Sequence, residues 1–346
     1  MTDAHDERLA PLDYFFGKGQ EVFLTMDFHD LDYFFAADGI AYLARTSQRR
    51  TAGVLACPVF WPDPAGDRVH AIRGRYRKAV TEFNREIFDL HPEYRSGLAP
   101  RNLPRVPAGE IAEVCRPRDA LKRFLQQEDG GLWRLIVERL GEIAGVPVDD
   151  IGIFGSYLVG LNQGLDGRQV KDVDFVIYGF DNYRAVRAGF PELLASLGFG
   201  PISAEHVAYH ARKFGSQFAP GSSTFELTLA NKWSSMQIAP GLLNTLRFIH
   251  KDDEAPPDPL AGLPIAGEAE VAGVVVDDDG ANFMPRTFRL AAGGGEYLVV
   301  THFWAFQACV RRGDRVSVRG NLHADGSTLS LDLPVHGLRI LEPVRR

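Results

Sequence analysis

Lys171-Asp172-Val173-Asp174-Phe175-Val176-Ile177-Tyr178-Gly179 alternates charged and apolar side chains and then turns apolar, the pattern of a strand entering a core. Successive strand residues face opposite sides, so Asp172 and Asp174 share one face and Val173 and Phe175 the other. Two neighbouring carboxylates repel unless a cation lies between them. Oxygen ligands at this spacing suit Mg²⁺ (or Mn²⁺), and Mg²⁺ is usually held by one or two carboxylates together with substrate phosphates. Upstream, the apolar Ile151-Gly152-Ile153-Phe154 predicts a strand that ends in Gly155-Ser156. The helix-compatible Tyr157-Leu158-Val159-Gly160-Leu161 follows, so Gly155 and Ser156 are expected to offer backbone N–H groups and a hydroxyl to a phosphate at a helix start. Taken singly, a Gly-Ser pair is commonly an N-cap and an Asp-x-Asp a solvated strand edge. Their succession, with strand patterns on both sides, points to a metal–phosphate site.

At these residues the chain resembles the polymerase-β-like nucleotidyltransferase superfamily, whose pattern is Gly-Ser, a short helix, and a strand bearing Asp-x-Asp. More narrowly, Ile151 to Leu161 and Asp172 to Gly179 look like a mostly archaeal family of predicted nucleotidyltransferases. The likeness extends over most of the chain. It takes in Trp61-Pro62-Asp63-Pro64-Ala65-Gly66-Asp67-Arg68, then Arg75-Tyr76-Arg77-Lys78, and the late Arg312-Gly313-Asp314-Arg315-Val316-Ser317-Val318-Arg319-Gly320. It departs at Asn162 to Gln169, an insert that lengthens the gap before Asp172, and at Lys171, where a small or polar residue is common.

The resemblance implies an enzyme that moves an NMP group from an NTP, such as ATP, to a hydroxyl with release of pyrophosphate. Asp172 and Asp174 would hold the metal, and Gly155 and Ser156 the triphosphate. The superfamily generally adds a third carboxylate. Glu226 is the candidate, on Ser223 to Ala230, where Phe225, Leu227 and Leu229 alternate with it; an exposed glutamate on a half-buried strand is an equal reading. Arg212 and Lys213 are further candidates for nucleotide phosphate contacts. The acceptor is left open among an RNA end, a protein side chain and a small molecule. The alternative is a nucleic-acid-binding protein with a non-catalytic core.

Composition bounds the rest. The 346 residues are 45% hydrophobic and carry a net charge of −7, enough chain for two or three domains and too acidic for a strongly basic nucleic-acid scaffold. Arg68, Arg73, Arg75, Arg77 and Lys78 still form a local basic cluster, readable as a binding surface or as a solvated strand face. The three cysteines, Cys57, Cys115 and Cys309, are widely spaced and suggest no zinc site. With no long apolar run and a charged start, neither secretion nor a membrane span is expected, and the location predicted is cytoplasmic.

The expected fold is an α/β (α+β) nucleotidyltransferase core with a mainly β N-terminal domain and a C-terminal OB-like small β-barrel. Residues 1–115 form the first domain, where Glu21 to Thr25 and Gly53 to Phe60 read as strands. Residues 116–251 form the core, with helical periodicity over Asp119 to Gln126, Leu132 to Ile143 and Tyr183 to Leu197. Residues 252–262 are an acidic, proline-rich linker. Residues 263–346 show five strand patterns between Gly/Asp turns, with Phe303, Trp304, Phe306, Arg311 and Arg312 as candidate nucleic-acid contacts or core aromatics.

Overall fold

The chain is a mixed α+β protein with three sheets. The computed structural model describes residues 28–45, 53–79, 81–83, 85–126, 131–165, 173–220, 222, 233–239 and 242–344. Strands β1 (Tyr33–Ala36), β2 (Ala41–Ala44), β3 (Gly53–Pro62), β4 (Arg68–His70), β5 (Gly74–Lys78), β6 (Arg105–Pro107) and β7 (Ile111–Cys115) pair antiparallel. Tyr33, Phe35, Leu43, Leu55, Cys57 and Phe60 point into the main core of the molecule. Their neighbours Phe34, Tyr42, Val54, Ala56 and Trp61 build a second core on the opposite face, closed by Ile87 and Phe88 of helix α1 (Glu86–Leu90). Both faces of this sheet are therefore covered, which is why β1 and β2 read as unbroken apolar runs.

The core sheet comes next. Helix α2 (Pro117–Phe124) starts with proline at its first position, where a missing N–H costs nothing. Helix α3 (Gly131–Ala144) buries Ile136, Val137 and Leu140 and ends at Gly145, whose φ of 66° suits a left-handed cap. Strand β8 (Ile151–Phe154) leads to the two-residue β9 (Gln163–Gly164), which pairs with β4 and so stitches the core to the first sheet. Strand β10 (Asp174–Tyr178), helix α4 (Phe180–Leu197), β11 (Gly200–Pro201), helix α5 (Ala204–Phe214), β12 (Ser235–Ala239) and β13 (Leu242–Ile249) complete it. The sheet order is β11-β12-β13-β10-β8, with β10 parallel to β13 and antiparallel to β8. Gly189 lets α4 close on α3, since a Cβ there would lie 2.9 Å from Ile143 Cγ2. Gly152 does the same for α2, since its Cβ would meet Pro117 Cβ at 2.6 Å.

The acidic, proline-rich segment is tied down at both ends. Glu254 Oε2 accepts from the Phe180 N–H at 2.9 Å, and Asp258 Oδ2 lies 3.2 Å from His302 Nε2. Beyond it, β14 (Ile265–Asp277), β15 (Arg286–Ala292), β16 (Gly295–Thr301), β17 (Arg315–His323), β18 (Thr328–Leu331) and β19 (Gly337–Glu342) form the third sheet. Its pairing order is β14-β15-β16-β18-β17-β19, and β14 also pairs with β17, so five strands close into a ring with β19 outside it. The sequence reading foresees those five strands and omits β19. Among the described residues no helix is long and apolar enough to cross a membrane.

Candidate functional site

Strand pairing brings the Gly-Ser turn to Asp174. In the antiparallel register of β8 and β10, Phe154 lies opposite Asp174, so the turn that begins at Gly155 emerges beside that carboxylate. Gly155 has φ +78°, and a Cβ built on it would lie 3.6 Å from Asp174 Oδ2. Glycine thus serves twice here, permitting the left-handed backbone and leaving the space above the carboxylate open. No α-helix follows, contrary to the sequence expectation. Gly155–Tyr157 is a single 3-10 turn, and Leu158 N–H and Leu161 N–H return to the carbonyls of Gly155 and Ser156 at 3.1 and 2.9 Å. The reason is local: Gly160, also at positive φ (66°), breaks the helical path after one turn. Any phosphate here would meet a tight backbone turn, without the dipole of a long helix. Ser156 Oγ makes no side-chain cap, and no hydrogen bond from it to the described residues is found.

Asp174 is held by β13, a strand the sequence reading did not identify. The Thr245 N–H donates to Asp174 Oδ1 at 3.1 Å. Because Val176 pairs with Arg247 in a parallel register, Arg247 projects from the same face as Asp174. Burial pushes the Asp174 carboxyl above its usual range, against the opposing pull of Arg247, Lys78 and the Thr245 hydrogen bonds. Arg247 is in turn pushed down to about 9 by burial, with Asp174 opposing. Its guanidinium stacks on Trp304, in the 3-10 turn that follows β16, 3.8 Å from the ring centroid, and donates through Nη1 to Gln307 Oε1. An arginine in the otherwise uncharged Leu242 to Ile249 was the available sequence signal for this neighbour.

Asp172 and Glu226 lie outside the described residues, as does the predicted strand Glu21 to Thr25. Arg212 and Lys213 occupy the last turn of α5, where cations complement exposed carbonyls, and Lys213 Nζ lies 5.7 Å from the Tyr209 ring centroid. Among the described residues, the cations acting on Asp174 are Arg247 and Lys78. In the N-terminal basic cluster, Arg73 pairs with Glu113 at 2.5 Å and Arg77 with Glu86 at 2.8 Å, while Arg75 donates to the Gly66 carbonyl. Those arginines are committed to the sheet surface. Phe303 and Phe306 are buried in the third sheet's core, so they are not available as a stacking platform for bases.

The donor chemistry around Asp174 is compatible with a hard cation held partly by substrate. One carboxylate is in place, its charge incompletely compensated by the protein, and it faces an open glycine turn. Among the described residues no three His, Cys, Asp or Glu side chains gather into an all-protein metal cage. No family model, curated protein or solved structure matches this chain.

Proposed function

We propose that this protein is a metal-dependent nucleotidyltransferase that moves an NMP group from an NTP to a hydroxyl acceptor and releases pyrophosphate. The observation that carries the reading is the meeting of the Gly155 turn with the Asp174 carboxylate at paired positions of β8 and β10. A phosphate can approach the backbone at Gly155, and the Ser156 hydroxyl can donate to one of its oxygens. Thr245 fixes the Asp174 carboxylate so that one oxygen stays directed at the turn. Asp172 and Glu226 are assigned from the sequence as the second and third carboxylates. Bound Mg²⁺ or Mn²⁺ would supply neutralisation of charge on the attacking and leaving oxygens. The acceptor hydroxyl oxygen bonds to the α-phosphorus as the α–β bridging bond breaks. Pyrophosphate carries away that electron pair, and the hydroxyl proton passes to a carboxylate or to water.

The same reading assigns a polymerase-β-like core and an OB-like barrel. Closure of five strands in the order β14-β15-β16-β18-β17, with a single parallel pair between β16 and β18, supports the barrel assignment. Cys57, Cys115 and Cys309 are buried and form no disulfide with one another, which fits a cytoplasmic setting.

The test is a transfer screen with α-labelled NTPs, Mg²⁺ or Mn²⁺, and separate RNA, protein and small-molecule acceptor pools. Label is expected in one pool, which names the acceptor class; no transfer from any NTP to any pool refutes the reading. In the same system Ser156→Ala should weaken NTP binding by about 1.5–3 kcal/mol, the value of one charge-assisted hydrogen bond. Unchanged affinity in calorimetric titration would remove the hydroxyl from the phosphate site.

A further inference from the structure

A second charged assembly lies where the first sheet, the core and the third sheet meet. Arg45 follows β2, Arg247 lies on β13 and Arg286 opens β15, and they are 1%, 4% and 3% exposed. Buried guanidinium groups are ordinarily saturated with hydrogen bonds, because each unmet N–H in a dry interior is costly. These are not. Arg45 donates through Nη2 to Glu82 Oε2 at 2.5 Å and to Cys57 Sγ at 3.3 Å, while its Nε and Nη1 have no partner. Arg247 spends Nη1 on Gln307 and leaves Nε unmet. Arg286 forms no hydrogen bond or ion pair with the described residues, and its Nε is buried without a partner.

The three belong to one electrostatic neighbourhood. Glu82 Oε2 accepts both from Arg45 and from the Trp304 N–H at 2.7 Å, and Trp304 carries Arg247 on its ring. Arg286 feels Arg45, Asp30 and Glu82, and Arg247 feels both of the other arginines. Three acids, Asp30, Glu82 and Asp174, face the three guanidinium groups, and burial pushes Asp30 up to about 6 and Asp174 above its usual range. Burial likewise pushes Arg286 down to about 10. Guanidinium holds its proton in proteins, so Arg45 Nε and Nη1, Arg247 Nε and Arg286 Nε remain donors in want of acceptors.

We infer that Arg45, Arg247 and Arg286 form a buried site for a phosphate-class oxyanion, whose oxygens take the N–H groups the protein leaves unpaired. The geometry of the donors selects the class. A planar carboxylate is matched by the fork of one arginine, whereas unmet donors from three elements suit a tetrahedral group with three or four acceptor oxygens. Inorganic phosphate, pyrophosphate and the polyphosphate of a nucleotide share this chemistry. Arg247 also flanks Asp174, so the anion would sit beside the proposed transfer site. The inference stands on the arginines and does not require nucleotidyl transfer.

The experiment is calorimetric titration and thermal unfolding of the full chain with phosphate and with pyrophosphate, at constant ionic strength and without divalent metal. Both should bind and raise the unfolding temperature. Arg286→Gln and Arg286→Met should each weaken binding at least about tenfold. Without the anion these variants should still fold, because Arg286 has no hydrogen bond to a described residue to lose and Asp30 keeps Arg45 as a counter-charge. Asp174→Asn should bind phosphate more tightly than the wild type, because the negative charge beside Arg247 is gone, while it loses NTP turnover; the opposite signs separate this site from the transfer reading. Competition between phosphate and ATP would assign the site to the nucleotide's own phosphates, and independent binding would assign it to a separate phosphate. The inference is overturned if neither anion binds the wild type, or if both Arg286 variants bind as tightly as it does.

Discussion

Asp174→Asn should lower metal-dependent NTP turnover by about 10³-fold or more, since a metal's stabilisation of transition-state charge is worth several kcal/mol. The substitution keeps the side-chain volume and an oxygen for the Thr245 N–H, so the local backbone should persist. Stability should move the other way. Burial raises the Asp174 pKa above its unfolded value, so the native state holds this proton more tightly than the unfolded chain does. The group's contribution to stability is therefore fully present below the ordinary carboxylate range and is lost as pH rises through the folded pKa. At pH 7 the buried anion is a liability that asparagine removes, and the variant should unfold no earlier than the wild type in urea. A folded variant with near wild-type turnover would sink the catalytic assignment. One that unfolds much earlier would make Asp174 a structural ligand of β13.

The strand bearing Asp174 was legible because its pattern is local: period two at Asp172 to Phe175, then an apolar run that only a buried strand requires. Helices α3 and α4 were legible for the same reason, each carrying an apolar stripe at helical spacing. Strand β13 was not. Leu242 to Ile249 is covered on both faces, so its polar residues Asn244, Thr245 and Arg247 break any simple alternation, although each has a tertiary role. Asn244 donates to the Val173 carbonyl, Thr245 to Asp174, and Arg247 to Gln307. The Gly-Ser turn was found but its continuation misread, because helix propensity over Tyr157 to Leu161 says nothing about the left-handed Gly160. The arginine assembly is the extreme case. Arg45, Arg247 and Arg286 come from three distant parts of the chain, and no periodicity relates them; only the docking of the three sheets does.

That docking turns on Glu82, and Glu82→Ala should destabilise the protein by about 3–5 kcal/mol, the cost of stranding a buried charge. The side chain of Arg45 is 2% exposed and that of Glu82 10%, so water cannot replace the lost carboxylate. The same oxygen that pairs with Arg45 accepts the Trp304 N–H, and the Glu82 N–H donates to Gln217 Oε1 at 3.3 Å. Removing the carboxylate leaves Arg45 with Cys57 as its hydrogen-bond partner and leaves the Trp304 N–H without its acceptor. Glu82→Gln should lose less, because an amide oxygen can still accept from Trp304 while the charge is gone. Adding Arg45→Met to Glu82→Ala should recover part of the loss, since the stranded cation and not the missing contact dominates it. Equilibrium urea unfolding of the three variants measures these differences. A Glu82→Ala protein within about 0.5 kcal/mol of wild type, the range of an ordinary surface change, would mean that the pair does not hold the junction together.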